Sequence, residues 1–558
     1  MKGDFSRWAF NPAENHTGVL MQQGRVLADT DITAITRIAS HWRQTLGQDA
    51  IGPGVVAAPA AAPGSLRVTT AQSDGVSVLL SLEPGRVWID GVLMHSPGPS
   101  PFTRQATYLG PPFQAPPATA ATIGANVHDA VVLEAWEEAL SAFQEPLHLL
   151  EPALGGPDTS ERSRVYFALR LLRVGPNDDC ASVAARLADD LAGRGRLTVT
   201  PAPSIFLPGE CPLEAGGGYT GLEHHLIRIE IAEPAAGQAR FKWSRFNGGL
   251  VGRGVFASTG ATTGTVDLRD NAPAIDHCGD TDFYLEALAF DANLGHYVVR
   301  LTATAVHTQA GRLTLTNVSG AWPAAAPATA FFRLWNGIEL VSAFPVSATP
   351  NALPDGIQLQ FQAPAANLAN YRPGDYWTFP VRASGTPMDP ALWPSNAPPQ
   401  GVVVHRAPLA IVHWQADRTA QYADGEIDDC RRVFRPLTNQ KTCCTFVVGD
   451  GESSHGDFDS IEEALTHLPA SGGQICLLPG LHQTNAVIRN RVNVKVVGCD
   501  TKTKVVPRQA TPDAPLFHVV DSNGVTLEHM DMTTLGGVAV LAEGSREGAT
   551  ANLAVVHN

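Results

Sequence analysis

The sequence predicts a mainly β protein: an N-terminal extended arm and helix, a β-rich central region, and a solenoid of short parallel strands at the C-terminus. Three observations carry this. Gly (52) and Pro (42) cluster between short apolar runs, as in chains with many tight turns. Asx-Gly pairs interrupt apolar runs at Asp90-Gly91, Asn247-Gly248, Asn336-Gly337 and Asp355-Gly356, a strong short-range hairpin signal. In the last part of the chain, apolar strands recur at a spacing of roughly 20–23 residues, the size of one solenoid coil.

The elements divide as residues 1–55, 56–440 and 441–558. Residues 1–28 read as extended. They carry Phe5, Trp8, Phe10, Val19 and Leu20, too apolar a set to hang free in water, so they are expected to dock on the main β domain or on another subunit. "DTDITAITRIASHWRQTLG" then places Ile32, Ile35, Ile38, Trp42 and Leu46 on one helical stripe, expected to be a docking face within the fold. Asp29 or Asp31 is the expected start cap and Gly47 the end. A Pro/Ala linker follows at 52–64. Residues 65–415 are expected to be β-rich, with two or more subdomains. Within them "ARFKWSRFNG" alternates Phe241 and Trp243 against Lys242 and Ser244, as a half-buried strand does, and "CASVAARLADDLAGR" (180–194) predicts one further helix.

In the last region "ICLL" (475–478), "VKVV" (494–497), "FHVV" (517–520) and "AVLA" (539–542) form one strand series. "AVI" (486), "TKVV" (503), "VTLEH" (525) and "NLAVV" (552) run between them as a second. "SIEEALTHLP" is an amphipathic helix suited to cover the first coil. "EGATANLAVVHN" ends on an apolar strand-like run, so the solenoid is expected to be incomplete or capped by a partner.

Composition narrows the function classes. The chain has 558 residues, enough for about three or four domains. It is 44% hydrophobic and 17% charged, which is globular and not disordered. Net charge is −15 with no basic stripe, against a nucleic-acid surface. No apolar run reaches the ~18 residues of a membrane span. No Sec-type signal precedes "MKGDFSRWAF", so cytoplasmic synthesis is expected. The eight cysteines form no C-x-x-C, and Cys443 and Cys444 are adjacent and poorly placed to pair with each other; reduced thiols are the expectation.

Candidate chemistry is sparse. In the solenoid the acid–base candidates are Asp521, Glu528, His529 and Asp531. Glu528 and Asp531 differ by an odd number and point to opposite faces of a straight strand, unsuited to the paired work of glycoside hydrolysis. Asp450, Asp457 and Asp459 in "GDGESSHGDFDS" are oxygen donors in a Gly-rich loop but lack the ligand order of an EF-hand; turn formation and helix capping are the expected roles. His224-His225 lacks metalloprotease spacing, and Gly155-Gly156 lacks the ending of a P-loop. The ten tryptophans, Trp88 and Trp243 among them, sit in periodic apolar contexts and are expected in packing. No catalytic, cofactor-binding or metal residue is assigned, and no cofactor is expected.

An ordered set of segments runs through residues 1–438: "MKGDFSR" with "GVLMQQGRV", "PGRVWIDGVL", "VVLEAWEEALSAFQEP…ALGGPDTSERSRV", "GGGYTGLEHHLIRIEI", "FKWSRFNGG", "DGIQLQFQ", "YRPGDYWTFPVR", "HRAPLAIV" and "DDCRRVFRPLT". This set resembles a family of large uncharacterised proteins encoded beside phage-tail-like contractile injection systems. The chain departs from that pattern at Ile32-Thr33-Ala34 and at His224-His225. Residues 446–558 resemble the start of pectin-lyase-like right-handed parallel β-helices. The resemblance implies a structural or interaction component of such a particle, at its baseplate or spike end, oligomeric within the assembly, with other particle subunits as partners and a glycan as a further candidate ligand. Two other readings are a β-helix polysaccharide depolymerase and an effector cargo of the particle.

Overall fold

The computed structural model describes residues 1–8, 10–110, 113, 118–154, 158–188, 195–202, 206–207, 213–214, 219–221, 223–323, 329–362, 368–382, 392–434, 444–469, 471–545, 549–556 and 558. The protein is mainly β, and its chain forms two compact units, Met1–Phe434 and Arg435–Asn558.

The first unit is built on an eight-stranded sheet in the order Thr419–Gln421, Val68–Ser73, Val78–Leu82, Phe102–Tyr108, Arg162–Val174, Val127–Leu140, Val404–Trp414 and Ile427–Asp429. Its central strand Val127–Leu140 is buried on both faces. Val131, Leu133 and Ala135 pack with Leu80 and Leu409, while Ala130 and Val132 face Val183 and Leu187 of the helix Cys180–Leu187. Residues 189–194 of the predicted helix lie outside the described residues.

Two further layers stand beside it. An antiparallel sheet runs Gly337–Leu340, Gln238–Ser244, His225–Ala235, Tyr376–Val381, and six antiparallel strands between Val251 and Trp335 close into a barrel. Val266, Leu285, Ala303, Leu315 and Phe332 fill the barrel as a packed core. The strand Gln238–Ser244 corrects the half-buried expectation. Phe241 and Trp243 are buried as predicted, but Lys242 and Ser244 are buried too, because a second layer covers their face.

Two of the four Asx-Gly pairs make the predicted hairpins. Asp90 and Gly91 both take positive φ (45° and 78°) between strands paired at Ile89 and Val92. Asp355-Gly356 turns Leu353 back onto Ile357. The other two carry the chain between sheets, and their Asn side chains bond elsewhere: Asn336 receives the Arg245 N–H at 2.8 Å, and Asn247 holds the N-terminal segment.

The N-terminal helix is Asp29–Ile51, longer than the predicted end at Gly47, and Gly52 closes it. Gly47 serves packing instead. A Cβ there would lie 2.9 Å from the Gly91 Cα, so the missing side chain lets the helix ride directly on the Asp90-Gly91 hairpin. Of the predicted stripe only Ile38 is buried; Ile32, Ile35, Trp42 and Leu46 are exposed. Among the described residues no helix is long and apolar enough to cross a membrane.

The second unit contains two parallel sheets. One runs Phe446–Val448, Gly473–Leu477, Val492–Val506, Asn523–Met532, Ala554–Val556; the other runs Ala486–Arg489, Phe517–Val520, Val540–Glu543. The strands exist where expected, but the two predicted series are mixed. Val496 pairs with Leu527, and Phe517 with Ala486 and Val540. Unequal stretches between strands shift the series against each other. The helix Ile461–His467 starts on the Ser460 cap and buries Ile461, Ala464 and Leu465 against Val448, Ile475 and Ile488.

The expectation of reduced thiols is corrected for four of the eight cysteines: Cys180 is bonded to Cys430, and Cys444 to Cys476, while Cys278 and Cys499 are free and Cys211 and Cys443 lie outside the described residues. Each pair is distant in sequence, so spacing carried no signal of it.

Candidate functional site

Charges buried inside apolar strands converge on one place in the first unit. "HLIRIEIAE", "ARFKWS", "DFYLEALAF" and "FFRLW" each carry charges within a hydrophobic run, and the fold brings Arg228, Glu230, Lys242, Glu286 and Arg333 together, all buried. Into this cluster goes the start of the chain. Lys2 Nζ lies 3.3 Å from Glu230 Oε1. Lys242 Nζ lies 3.2 Å from the same oxygen and 2.7 Å from Glu286 Oε1. Arg228 Nε donates to Glu230 Oε2 at 2.7 Å, and its guanidinium stacks 3.6 Å over the Tyr376 ring. Glu286 Oε2 accepts from Trp335 Nε1 at 2.8 Å, and Lys242 sits over that indole.

The backbone of the first residues is held as firmly. Arg228 Nη1 donates to the Met1 carbonyl at 3.2 Å, and Asn247 Nδ2 donates to the Gly3 carbonyl at 2.9 Å. A Cβ at Gly249 would overlap the backbone of Gly3 and Asp4, and one at Gly3 would strike the Glu161 carboxylate. Ser6 ties the segment to the next element, donating from N (3.0 Å) and Oγ (2.7 Å) to Asp29 at the helix start.

The electrostatics are those of a clamp built on paired charges around Glu230 and Glu286, with Arg333 Nη1 buried and without a hydrogen-bond partner. Burial alone would raise the Glu230 pKa, but Lys2, Lys242 and Arg228 outweigh it and hold the carboxyl well below its usual range. Burial pulls Lys2 down against the attraction of Glu230; Lys242, also opposed by burial, is raised by Glu286 and Glu230. Glu161 is different. Burial pushes it up to about 7, the nearby Arg333 opposing, and its Oε2 has no hydrogen-bond partner. A cavity of about 300 Å³ opens beside the clamp, lined by Lys2, Arg37, Trp136, Glu138, Arg228 and Tyr376 among others. Every cation of the clamp has a carboxylate within ion-pair or Coulombic reach, so the charges hold the first residues of the chain in place.

The candidates predicted from sequence are not brought together. Asp521 accepts from the Ser545 N–H at 2.7 Å, which lowers its pKa; Glu528 pairs with Lys495; His529 Nδ1 lies 2.7 Å from Asp500; Asp531 is exposed opposite Lys504. Asp450 accepts from the N–H groups of Ser453, Ser454 and Leu481, Asp457 from Val447 N and Asp459 from His455. His225 is buried against Phe246 and burial lowers its pKa, whereas His224 is exposed. Trp243 is in the core and Trp88 half-buried; Gly155-Gly156 lies outside the described residues. Among the described residues no group of three or more His, Cys, Asp and Glu side chains is placed to hold a metal ion.

Residues 1–195 match a family of unknown function, DUF6519. No curated protein and no solved structure matches the chain. The match covers the segment that is clamped, together with Glu161, but not the strands bearing Arg228, Glu230, Lys242 and Glu286.

Proposed function

We propose that this chain is a structural or interaction component of a phage-tail-like contractile injection system, at its baseplate or spike end. The reading starts from the resemblance of residues 1–438 and rests on one observation. The N-terminal helix is fastened at both ends, by Ser6–Asp29 and by the Gly47–Gly91 contact, yet turns Ile32, Ile35, Trp42 and Leu46 to solvent. Leu20 and Val26 just before it are 93% exposed. A rigid support presenting apolar side chains outward is how a subunit offers a contact surface. In the second unit, the ladder of parallel strands supports folding as a right-handed parallel β-helix, here an architectural module. Glu528, one of its candidate carboxylates, is paired with Lys495.

Purified particles test this. A structural subunit is present at fixed, symmetric stoichiometry by quantitative mass spectrometry and occupies defined density in a cryo-EM map. Variable, removable copies would make the chain a cargo, and shortening of a glycan by the purified chain would make it a depolymerase; either result overturns the proposal.

A further inference from the structure

A second cavity of the first unit, about 580 Å³, has a disulfide in its wall. Cys180 and Cys430 are separated by 250 residues, with Cα atoms 5.4 Å apart. Cys180 is the first residue of the helix Cys180–Leu187, capped by Asp179, which accepts from Ser182 N at 2.8 Å. Cys430 follows the edge strand Ile427–Asp429. The helix lines the cavity with Ala181, Ala184 and Ala185, short side chains that leave the space open, and the same wall carries Arg432, Asp90 and Arg406, the last paired with Glu134 at 2.6 Å.

Thiol–disulfide exchange needs an attacking thiolate, access to one sulfur, and a departing sulfur that is stable as a thiolate. Cys180, as the first residue of its helix, meets the last condition. Both cysteines line a space wide enough for a tripeptide-sized thiol, Cys180 half-buried and Cys430 7% exposed at the cavity wall.

We propose that Cys180–Cys430 is a thiol-exchange site, modified by a small monothiol of the glutathione class that enters through this cavity. The incoming thiolate attacks Cys430 Sγ and forms a mixed disulfide there. The Cys180–Cys430 bond breaks, and its electron pair leaves with Cys180 as a thiolate. A second monothiolate then attacks the adduct's outer sulfur and releases Cys430 as a thiolate. Two monothiols are thereby oxidised to their disulfide, and the protein disulfide is reduced to two thiols. The helix then loses its covalent tie to the sheet edge and is held there by packing, chiefly of Val183 and Leu187.

The test uses the full chain, its free thiols first blocked with N-ethylmaleimide. It is incubated with reduced glutathione, acid-quenched, digested and mapped by mass spectrometry, with tryptophan fluorescence reporting the fold. The expected result is glutathione on Cys430 while the fold is intact, formed several-fold more slowly in Ala184→Leu. In case that variant does not fold, a thiol-terminated polyethylene glycol too large for the cavity replaces glutathione on the unaltered chain, and no adduct is expected until urea unfolds it. Glutathione found on Cys180 instead, no adduct before unfolding, or equal rates for the small and the polymeric thiol would overturn the proposal.

Discussion

The first eight residues and the helix that follows them invert the usual rule in opposite ways. In the first stretch a lysine is half-buried against a buried carboxylate and peptide groups are held by buried side chains, with Lys2 on Glu230 and the Met1 and Gly3 carbonyls on Arg228 and Asn247. In the second, isoleucines, a tryptophan and a leucine are exposed. Each stretch alone departs from ordinary partitioning. Together they describe a part whose polar end is fixed inside its own unit so that its apolar side faces outward. Burying a charge is costly unless it is paired, and here the pairing is specific enough to set the path of the chain.

The sharpest way to break the comparison is to remove the centre of the clamp. Glu230→Gln leaves Lys2, Arg228 and Lys242 facing one another without their shared carboxylate. A loss of about 3–5 kcal/mol in urea unfolding is expected, with deprotection of the first residues in hydrogen exchange. Gly249→Ala attacks the same segment by sterics, since the added Cβ overlaps the backbone of Gly3 and Asp4. About 1–3 kcal/mol is expected, read as a fall in thermal midpoint.

Protonation gives a finer probe. The folded pKa of Glu161 is raised from 4.5 to about 7, so its proton contributes stability that is complete below about 4.5 and is lost as pH rises through 7. The difference across that window, discounted for partial contact with water, is roughly 1–2 kcal/mol. Glu161→Gln is expected to flatten this part of the stability–pH curve; an unchanged slope would mean that the carboxyl is ionised in the fold. The smallest effect belongs to the exposed face. Ile35→Ser and Trp42→Ser are expected to change unfolding free energy by less than about 0.5 kcal/mol while abolishing incorporation into particles. A large loss of stability would show that these side chains are covered within the chain itself.

Much of the fold was legible in local pattern. Asp90-Gly91 and Asp355-Gly356 turned where their φ preference required, Ser460 capped the predicted short helix, and the C-terminal strands lay where apolar runs recurred. What was not legible depends on contacts between distant segments. Lys242 looked like the solvent side of a half-buried strand, because nothing in "ARFKWS" reveals that Glu230 and Glu286 lie opposite it. Gly47 looked like a helix end because its role is set by Gly91 on another element. The stripe Ile32, Ile35, Trp42, Leu46 was correctly helical, but periodicity cannot say which face meets the rest of the chain, and the structure turns it outward. The one available signal for the clamp was lone charges inside otherwise apolar strands.

The measurement that bears most directly on this account is amide hydrogen exchange of residues 29–51 in the isolated chain and in purified particles. The account predicts that these amides gain protection only in the particle, while residues 1–8 are equally protected in both. Equal exchange of residues 29–51 in the two states would contradict it.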